Sequence, residues 1–414
     1  MTERKLRVAM IAPPWLKIPV NGYGGVEEVI DALVESLQDA GVEVEIFGVG
    51  GRRLHGAKVH AITKDEQFEH ILKPMYDFAL PIPAHHVLAS LDAIQADGGF
   101  DIIHDHNYFI GPSVLSWASR LSDVPPVIHT IHGPPLSTDR SLADGFPDNR
   151  PFWRSVAGDH HCYFVPISDA MKHTLPRQLS GNVLDTVHNA IELHNFPFVG
   201  QEERKNYFIT FARFAEEKGQ HIAARIAAKR HYRLRMAGPV ATIDTNRKLM
   251  LELANPLSKY RNDRDFKYYS DKILPYLLRS PRITYAGTMG GKKKLQFLSH
   301  AKALLFPITW DEPFGMAVIE ALACGTPVIA MNRGAMAEII EHGVNGFLAD
   351  TEEEFEQYMA RIDEIDPAAC RASVERKFSA ETMAEAYLAR YLEVIERKNA
   401  SVGRINAGAP SAKK

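Results

Sequence analysis

Apolar residues along this chain fall into two alternating rhythms. Short continuous apolar runs bounded by turn residues read as strands buried on both faces, and apolar positions three and four apart read as helix. Arg7–Pro13 is the first strand pattern, and Val26–Ala40 the first helical one, with Val29, Ile30, Leu33, Val34 and Leu37 on one face and Gly41 as its stop. Strand patterns follow at Val42–Gly48, Asp101–His104, Pro126–Thr130, Tyr163–Ile167 and Asp185–His188. The scheme restarts at Tyr207–Phe211, with a helix at Gly219–Lys229 and strands at Tyr232–Ala237 and Ile283–Ala286. A helix at Lys292–His300, a strand at Ala303–Pro307, a helix and strand within 310-WDEPFGMAVIEALACGTPVIAMNRG-334, and a short strand at Phe347–Ala349 complete it. Strands separated by helices predict parallel βαβ units, hence an α/β protein of two doubly wound, Rossmann-like domains. The rhythm breaks at His194–Asn206, which predicts one domain over 1–195 and a second over 206–379. Residues 380–398 carry an amphipathic helix expected to pack back on the first domain, and 399–414 a small, polar, flexible tail. The polar segment Asp244–Leu278 lacks the βα rhythm and reads as an elaboration. Ligands of such sheets bind beyond the carboxyl ends of the strands, so two facing domains predict an interdomain cleft.

Composition narrows the classes. A chain of 414 residues has material for two or three domains, and 45% hydrophobic with 24% charged residues is ordinary for a globular protein. The net charge of -3 argues against a nucleic-acid partner. Three cysteines form no disulfide framework and show no metal-ligand spacing, so a cytoplasmic location is expected. The first apolar run, of about six residues, is too short for a signal segment or a membrane span. Peripheral membrane contact stays open, and oligomeric state is not legible.

The chemistry gathers in the second half. Glu320 sits inside the apolar run Ala317–Ala323, where an unpaired carboxylate costs several kcal/mol. Glu312 stands before the same helix, and residues eight apart lie about 80° apart on the helical wheel, so both can flank one ligand. The amides of Phe314, Gly315 and Met316 at the helix start suit a phosphate or sugar oxygen. The alternative is structural: Glu312 as a cap, Glu320 paired with a lysine or arginine. Arg213 and Lys218 follow a strand and could neutralise a diphosphate, or pair with Glu216 and Glu217 between them. Gly24 and Gly25 close a glycine-rich turn after the first strand that lets backbone amides approach a phosphate. The spacing is not that of a nicotinamide-dinucleotide site. His104-Asp105-His106-Asn107 ends one strand, but neighbours on a strand point to opposite faces, so no metal is assigned. Lys292-Lys293-Lys294 reads as a solvated helix start, with contact to a phosphate or an acidic acceptor as the alternative.

Taken together, Arg213-Phe214-Ala215-Glu216-Glu217-Lys218-Gly219, Glu312-Pro313-Phe314-Gly315 with Glu320, Ala323-Cys324-Gly325-Thr326-Pro327-Val328 and Gly343-Val344-Asn345-Gly346 resemble glycosyltransferase family 4. Its members are retaining enzymes of the GT-B fold, related to glycogen synthases and mannosyltransferases. The resemblance spans nearly the whole chain and is densest from 207 to 350. It implies a hexosyltransferase that uses a nucleoside-diphosphate sugar, UDP-glucose by family frequency, and needs no metal or other cofactor. It implies a carbohydrate, lipid-linked or small-molecule hydroxyl acceptor. It places His132, Arg213, Lys218 and Glu312 at the reacting centre. Gly24, Gly25, Gly238, Thr288, Met289, Phe314, Gly315, Met316 and the ribose-binding Glu320 would hold the sugar donor. A nucleotide-sugar epimerase, a sugar phosphorylase and a non-catalytic nucleotide-sugar binder remain as alternatives. Two features depart from the family pattern. Asn189-Ala190-Ile191-Glu192 replaces a glycine turn and would be strained were Ala190 at positive φ. The Asp244–Leu278 segment is unusually long, and its Asp263-Arg264-Asp265 is read as a chance match to a metal motif.

Overall fold

A computed structural model describes residues 4–20, 24–51, 53–70, 79–121, 123–136, 148–158, 161–243 and 245–408. The chain divides into two units, one holding the N-terminal sheet and the C-terminal helix, the other running Ala190–Ser379. The division therefore falls earlier than the charged stretch at His194–Asn206.

In the first unit β1 (Arg7–Ile11), β2 (Glu43–Val49), β3 (Arg53–Leu54), β4 (Ala57–Thr63), β5 (Ile102–Asp105), β6 (Val127–Ile131) and β7 (Cys162–Pro166) form one sheet. Its order is β3-β4-β2-β1-β5-β6-β7, parallel except for the β3–β4 pair. The apolar runs of β1, β6 and β7 are buried because helices cover both faces of such a sheet. Helix α1 (Gly25–Asp39) buries Val29, Ile30, Leu33, Val34 and Leu37, and Gly41 reverses the chain at φ 84°. The C-terminal helix Ala380–Gly408 packs against α1 and buries Met383, Tyr387, Tyr391 and Val394. It extends beyond Lys398, so the expected flexible tail does not begin at residue 399; residues 409–414 lie outside the described residues. Two strand expectations need correction. Asp185–His188 forms no strand; a bridge from Val183 to Phe164 and single bonds from Leu184 N–H to Phe164 and Val187 N–H to Pro166 tie the segment to β7. The strand β4 was not legible, because Lys58 and His60 interrupt its apolar pattern.

In the second unit β8 (Phe208–Phe211), β9 (Leu234–Ala237), β10 (Ile283–Gly287), β11 (Ala303–Phe306), β12 (Val328–Met331) and β13 (Gly346–Ala349) form an all-parallel sheet ordered β10-β9-β8-β11-β12-β13. The order reverses between β8 and β11, the topological switch point where ligands of such sheets bind. Helices α2 (Gln220–Arg230), α3 (Gly291–Ser299) and α4 (Met316–Ala323) follow β8, β10 and β11. The elaboration folds as short helices, including Asn246–Ala254, Arg264–Tyr268 and Leu274–Arg279. It is anchored by buried Phe266, Tyr268, Tyr269 and Ile273, with the Tyr269 ring edge-on to Phe214 at 5.1 Å. Ala190 does not take a positive φ, so the anticipated strain is absent.

Candidate functional site

The loops after β8 and β11 meet beside the switch point. Gly219, at φ 66°, makes this possible: a Cβ there would lie 1.8 Å from the carbonyl oxygen of Pro307. The close approach brings Lys218 to Glu312, with Nζ donating to Oε2 at 2.6 Å. Trp310 donates through Nε1 to the same oxygen at 2.8 Å, and its ring centroid lies 4.9 Å from the Lys218 ammonium. Gly334 backs this carboxylate, since a Cβ there would stand 2.3 Å from the Glu312 carbonyl, and Ala335 N–H donates to that carbonyl at 2.9 Å. Trp310 and Gly334, the two ends of the quoted stretch around Glu312, were not singled out in the sequence.

Arg213 is held by two carboxylates. It donates to Glu217 at 2.9 Å and to Asp265 from the elaboration. Asp263, read with Asp265 as a chance match, caps the short helix by accepting from Phe266 N–H at 2.9 Å, and so presents Asp265 to Arg213. Burial raises the Asp265 carboxyl above its ordinary range despite the attraction of Arg213. Glu320, on α4, is 2% exposed and accepts from Lys294 Nζ at 2.7 Å. Lys294 is itself buried, so the reading of Lys292-Lys293-Lys294 as solvated is corrected for its third member. A charge this deep needs a counter-charge, and α3 supplies it. Lys218 and Glu312 thus meet directly, while Arg213 and Glu320 lie in the same unit after the strands that flank the switch point; the N-terminal residue of α4 is preceded by Gly315 at φ 112°. Gly238, Thr288 and Met289 follow β9 and β10 at the same carboxyl end of the sheet.

The first unit assembles a different cluster at the ends of β5 and β6. His104 Nδ1 lies 2.7 Å from the Tyr391 hydroxyl and its Nε2 2.7 Å from Thr130 Oγ1. Thr130 Oγ1 lies 2.7 Å from the Tyr387 hydroxyl, which ties the C-terminal helix to the sheet. His129 Nδ1 meets Asp105 at 2.6 Å, and His132 Nε2 meets His106 Nδ1 at 2.8 Å. His104, Asp105 and His106 therefore turn to three different sets of partners. Among the described residues no three His, Cys, Asp or Glu side chains are grouped to hold a metal ion. Burial lowers the His104 and His106 imidazoles well below their ordinary range and His132 to about 3. Gly24 and Gly25 sit where the chain enters α1; the preceding 21–23 lie outside the described residues. One neighbour was missed: Glu27, in the first turn of α1, is buried and its carboxyl is pushed up to about 7 by desolvation.

Comparison with known proteins decides the family. Residues 23–195 match the model described as Glycosyltransferase Family 4, and residues 194–371 that described as Glycosyl transferases group 1. The chain belongs to glycosyltransferase family 4. Among its relatives, the D-inositol 3-phosphate glycosyltransferase of Paenarthrobacter aurescens is 25% identical over 347 residues, covering 79% of this chain and 81% of that protein. An uncharacterized glycosyltransferase of Methanocaldococcus jannaschii is 22% identical, over 82% of this chain and 84% of its own length. Solved structures support the GT-B fold of this glycosyltransferase. Sucrose-phosphate synthase from Thermosynechococcus elongatus aligns with a TM-score of 0.68 at 19% identity, covering 95% of this chain and all of that one (100%). HepE of Anabaena in complex with UDP-glucose aligns with a TM-score of 0.63 at 17% identity, covering 95% and 100%. No helix among the described residues of this family member is long and apolar enough to cross a membrane.

Proposed function

We propose that this glycosyltransferase is retaining, and that it moves a hexosyl unit from a nucleoside-diphosphate sugar to a hydroxyl acceptor without a metal in the chemical step. UDP-glucose is the first choice of sugar donor; the complex of HepE with UDP-glucose, in a protein of the same fold, favours it. The observation that carries the reading is the Lys218–Glu312 pair at the switch point of one sheet, with Arg213 following the same strand as Lys218 and Glu320 on the same helix that Glu312 precedes. In this reading the diphosphate takes the place of carboxylates on Arg213 and Lys218. Glu312 and the Phe314–Met316 amides then hold the sugar hydroxyls, and Glu320 accepts from the ribose diol. Gly238, Thr288 and Met289 border the nucleotide, and Gly24 and Gly25 approach the phosphates.

The bond from the anomeric carbon to the diphosphate oxygen breaks first. The acceptor oxygen forms its bond on the same face, and the departing phosphate oxygen takes the acceptor proton. Configuration is retained without a protein nucleophile. His132, neutral because burial holds its pKa near 3, works as a hydrogen-bonding partner of a sugar hydroxyl rather than as a base. Thermal stabilisation by UDP, GDP, ADP and their sugar forms tests the reading. A ligand at 100 times its dissociation constant adds about 2.7 kcal/mol. One nucleotide series should shift the midpoint, and Glu320→Ala should remove the shift. If no series shifts it, the sugar-donor assignment fails, and Glu320 serves a structural pair with Lys294 instead.

A further inference from the structure

A cavity of about 530 Å³ opens beside α3, away from the charges just described. Lys205, Tyr207, Arg235, Lys293, Phe297 and His300 line it, and its far end reaches Met289, one of the residues placed above beside the nucleotide. Lys205 and Tyr207 precede β8 and Arg235 is the second residue of β9, so the cavity begins at the amino ends of these strands. Arg213 and Glu312 lie past the carboxyl ends. The Arg235 guanidinium carbon sits 4.9 Å from the Tyr207 ring centroid and 5.4 Å from that of Phe297. Two aromatic rings thus hold the fork in one orientation, which lowers the entropy lost when it grips an anion. Lys205, Arg235 and Lys293 are exposed, no carboxylate lines the cavity, and none of the three enters an ion pair among the described residues. Lys293 and His300 are separated by about 10 Å along the helix. Lys205 N–H donates to the His300 carbonyl at 2.9 Å, so Lys205 and Lys293 stand toward opposite ends of a groove rather than around a point. Its volume lies in the usual range for small-ligand sites.

We propose that this groove binds a small polyanion carrying two or more phosphate groups. Exposed lysines hold a single charge weakly. Several cations in a row, with a stacked arginine among them, favour a ligand whose charges are also in a row. Occupancy would be felt at the sugar-donor site, because Lys293 faces the groove while the next residue, Lys294, pairs with Glu320. That coupling rests on the role proposed for Glu320; the binding itself does not.

The test is calorimetric titration of the full chain at low salt with tripolyphosphate, orthophosphate and citrate. Tripolyphosphate should bind at least tenfold more tightly than either of the others. The double variant Arg235→Gln/Lys293→Gln should lose at least tenfold in that affinity while keeping its circular dichroism and its nucleotide-induced thermal shift. Lys218→Ala should retain tripolyphosphate binding. The proposal is overturned if tripolyphosphate does not bind, or if citrate binds equally. It is overturned also if Lys218→Ala removes binding and the groove variant does not, since the probe then occupies the diphosphate position. A chain that binds tripolyphosphate in the groove but no nucleotide would keep this inference and sink the function proposed above.

Discussion

The two units bury ionisable groups at the ends of parallel strands in opposite ways. In the second, Lys218 meets Glu312, Arg213 meets Glu217 and Asp265, and Lys294 meets Glu320, so each charge is kept and compensated. In the first, the imidazoles of His104, His106 and His132 are driven neutral and satisfied largely by one another and by hydroxyls. The difference teaches what each cluster is suited for. Compensated charges can exchange a protein partner for a ligand of the same sign, whereas neutral imidazoles offer direction without net charge. The second cluster sets three cations against four carboxylates, so a diphosphate gains full attraction only by displacing a carboxylate.

The strongest way to break this comparison is to remove one member of a compensated pair. Lys294→Ala removes the cation that meets buried Glu320 and should cost about 3–5 kcal/mol in urea unfolding. The double change Lys294→Met/Glu320→Leu should recover most of that loss without restoring nucleotide binding. Equal stability of the single and double variants would show that the pair does not compensate.

Glu27 is the exception in the first unit, a buried carboxyl with no counter-charge among the causes of its shift. Its pKa is raised from 4.5 to about 7, so the folded state holds the proton more tightly than the unfolded one. Stability from this group is full below pH 4.5 and is lost as pH rises through 7, by roughly 3 kcal/mol. Glu27→Gln should therefore match the parent near pH 4 and exceed it near pH 8. A difference independent of pH would refute the assignment.

His132→Ala should lower kcat by about 5- to 30-fold, the loss of one hydrogen bond of 1–2 kcal/mol. Because His132 is neutral throughout, the parent rate should show no inflection between pH 5.5 and 7.5 that disappears in this variant. The smallest effect is expected at Asp265. Its replacement by Asn removes a competitor for Arg213 and should tighten nucleoside-diphosphate binding by about 3- to 10-fold, a gain of roughly 1 kcal/mol. Weaker binding would mean that Asp265 orients Arg213 instead.

Much of the fold was legible because buried parallel strands are continuous apolar runs: twelve-residue stretches such as Leu322–Arg333 carry helix end, turn and strand in plain order. β4 escaped because Lys58 and His60 interrupt any continuous apolar run in it. Asp185–His188 misled because the segment runs beside β7, with Val187 N–H donating to Pro166, but forms no continuous ladder. At the site, Arg213, Lys218, Glu312 and Glu320 were named from residue type and spacing. Of their partners, only Glu217 beside Arg213 was foreseen. Lys294 lies 26 residues from Glu320 and Asp265 lies 52 from Arg213, and no local pattern links such positions. Glu27 likewise looked like any acidic residue in a first helical turn.

By itself the sequence determined the alternation of strand and helix, the doubly wound class and the kinds of side chain at each strand end, because these follow from local periodicity and residue chemistry. Tertiary structure alone decided which charges meet. It turned a lysine expected in solvent toward Glu320 and brought a carboxylate of the elaboration onto Arg213. It also placed the tyrosines of the C-terminal helix on His104. Pairing across tens or hundreds of residues depends on how sheets and helices pack, and the energy of a buried charge is a property of that packing rather than of the residue.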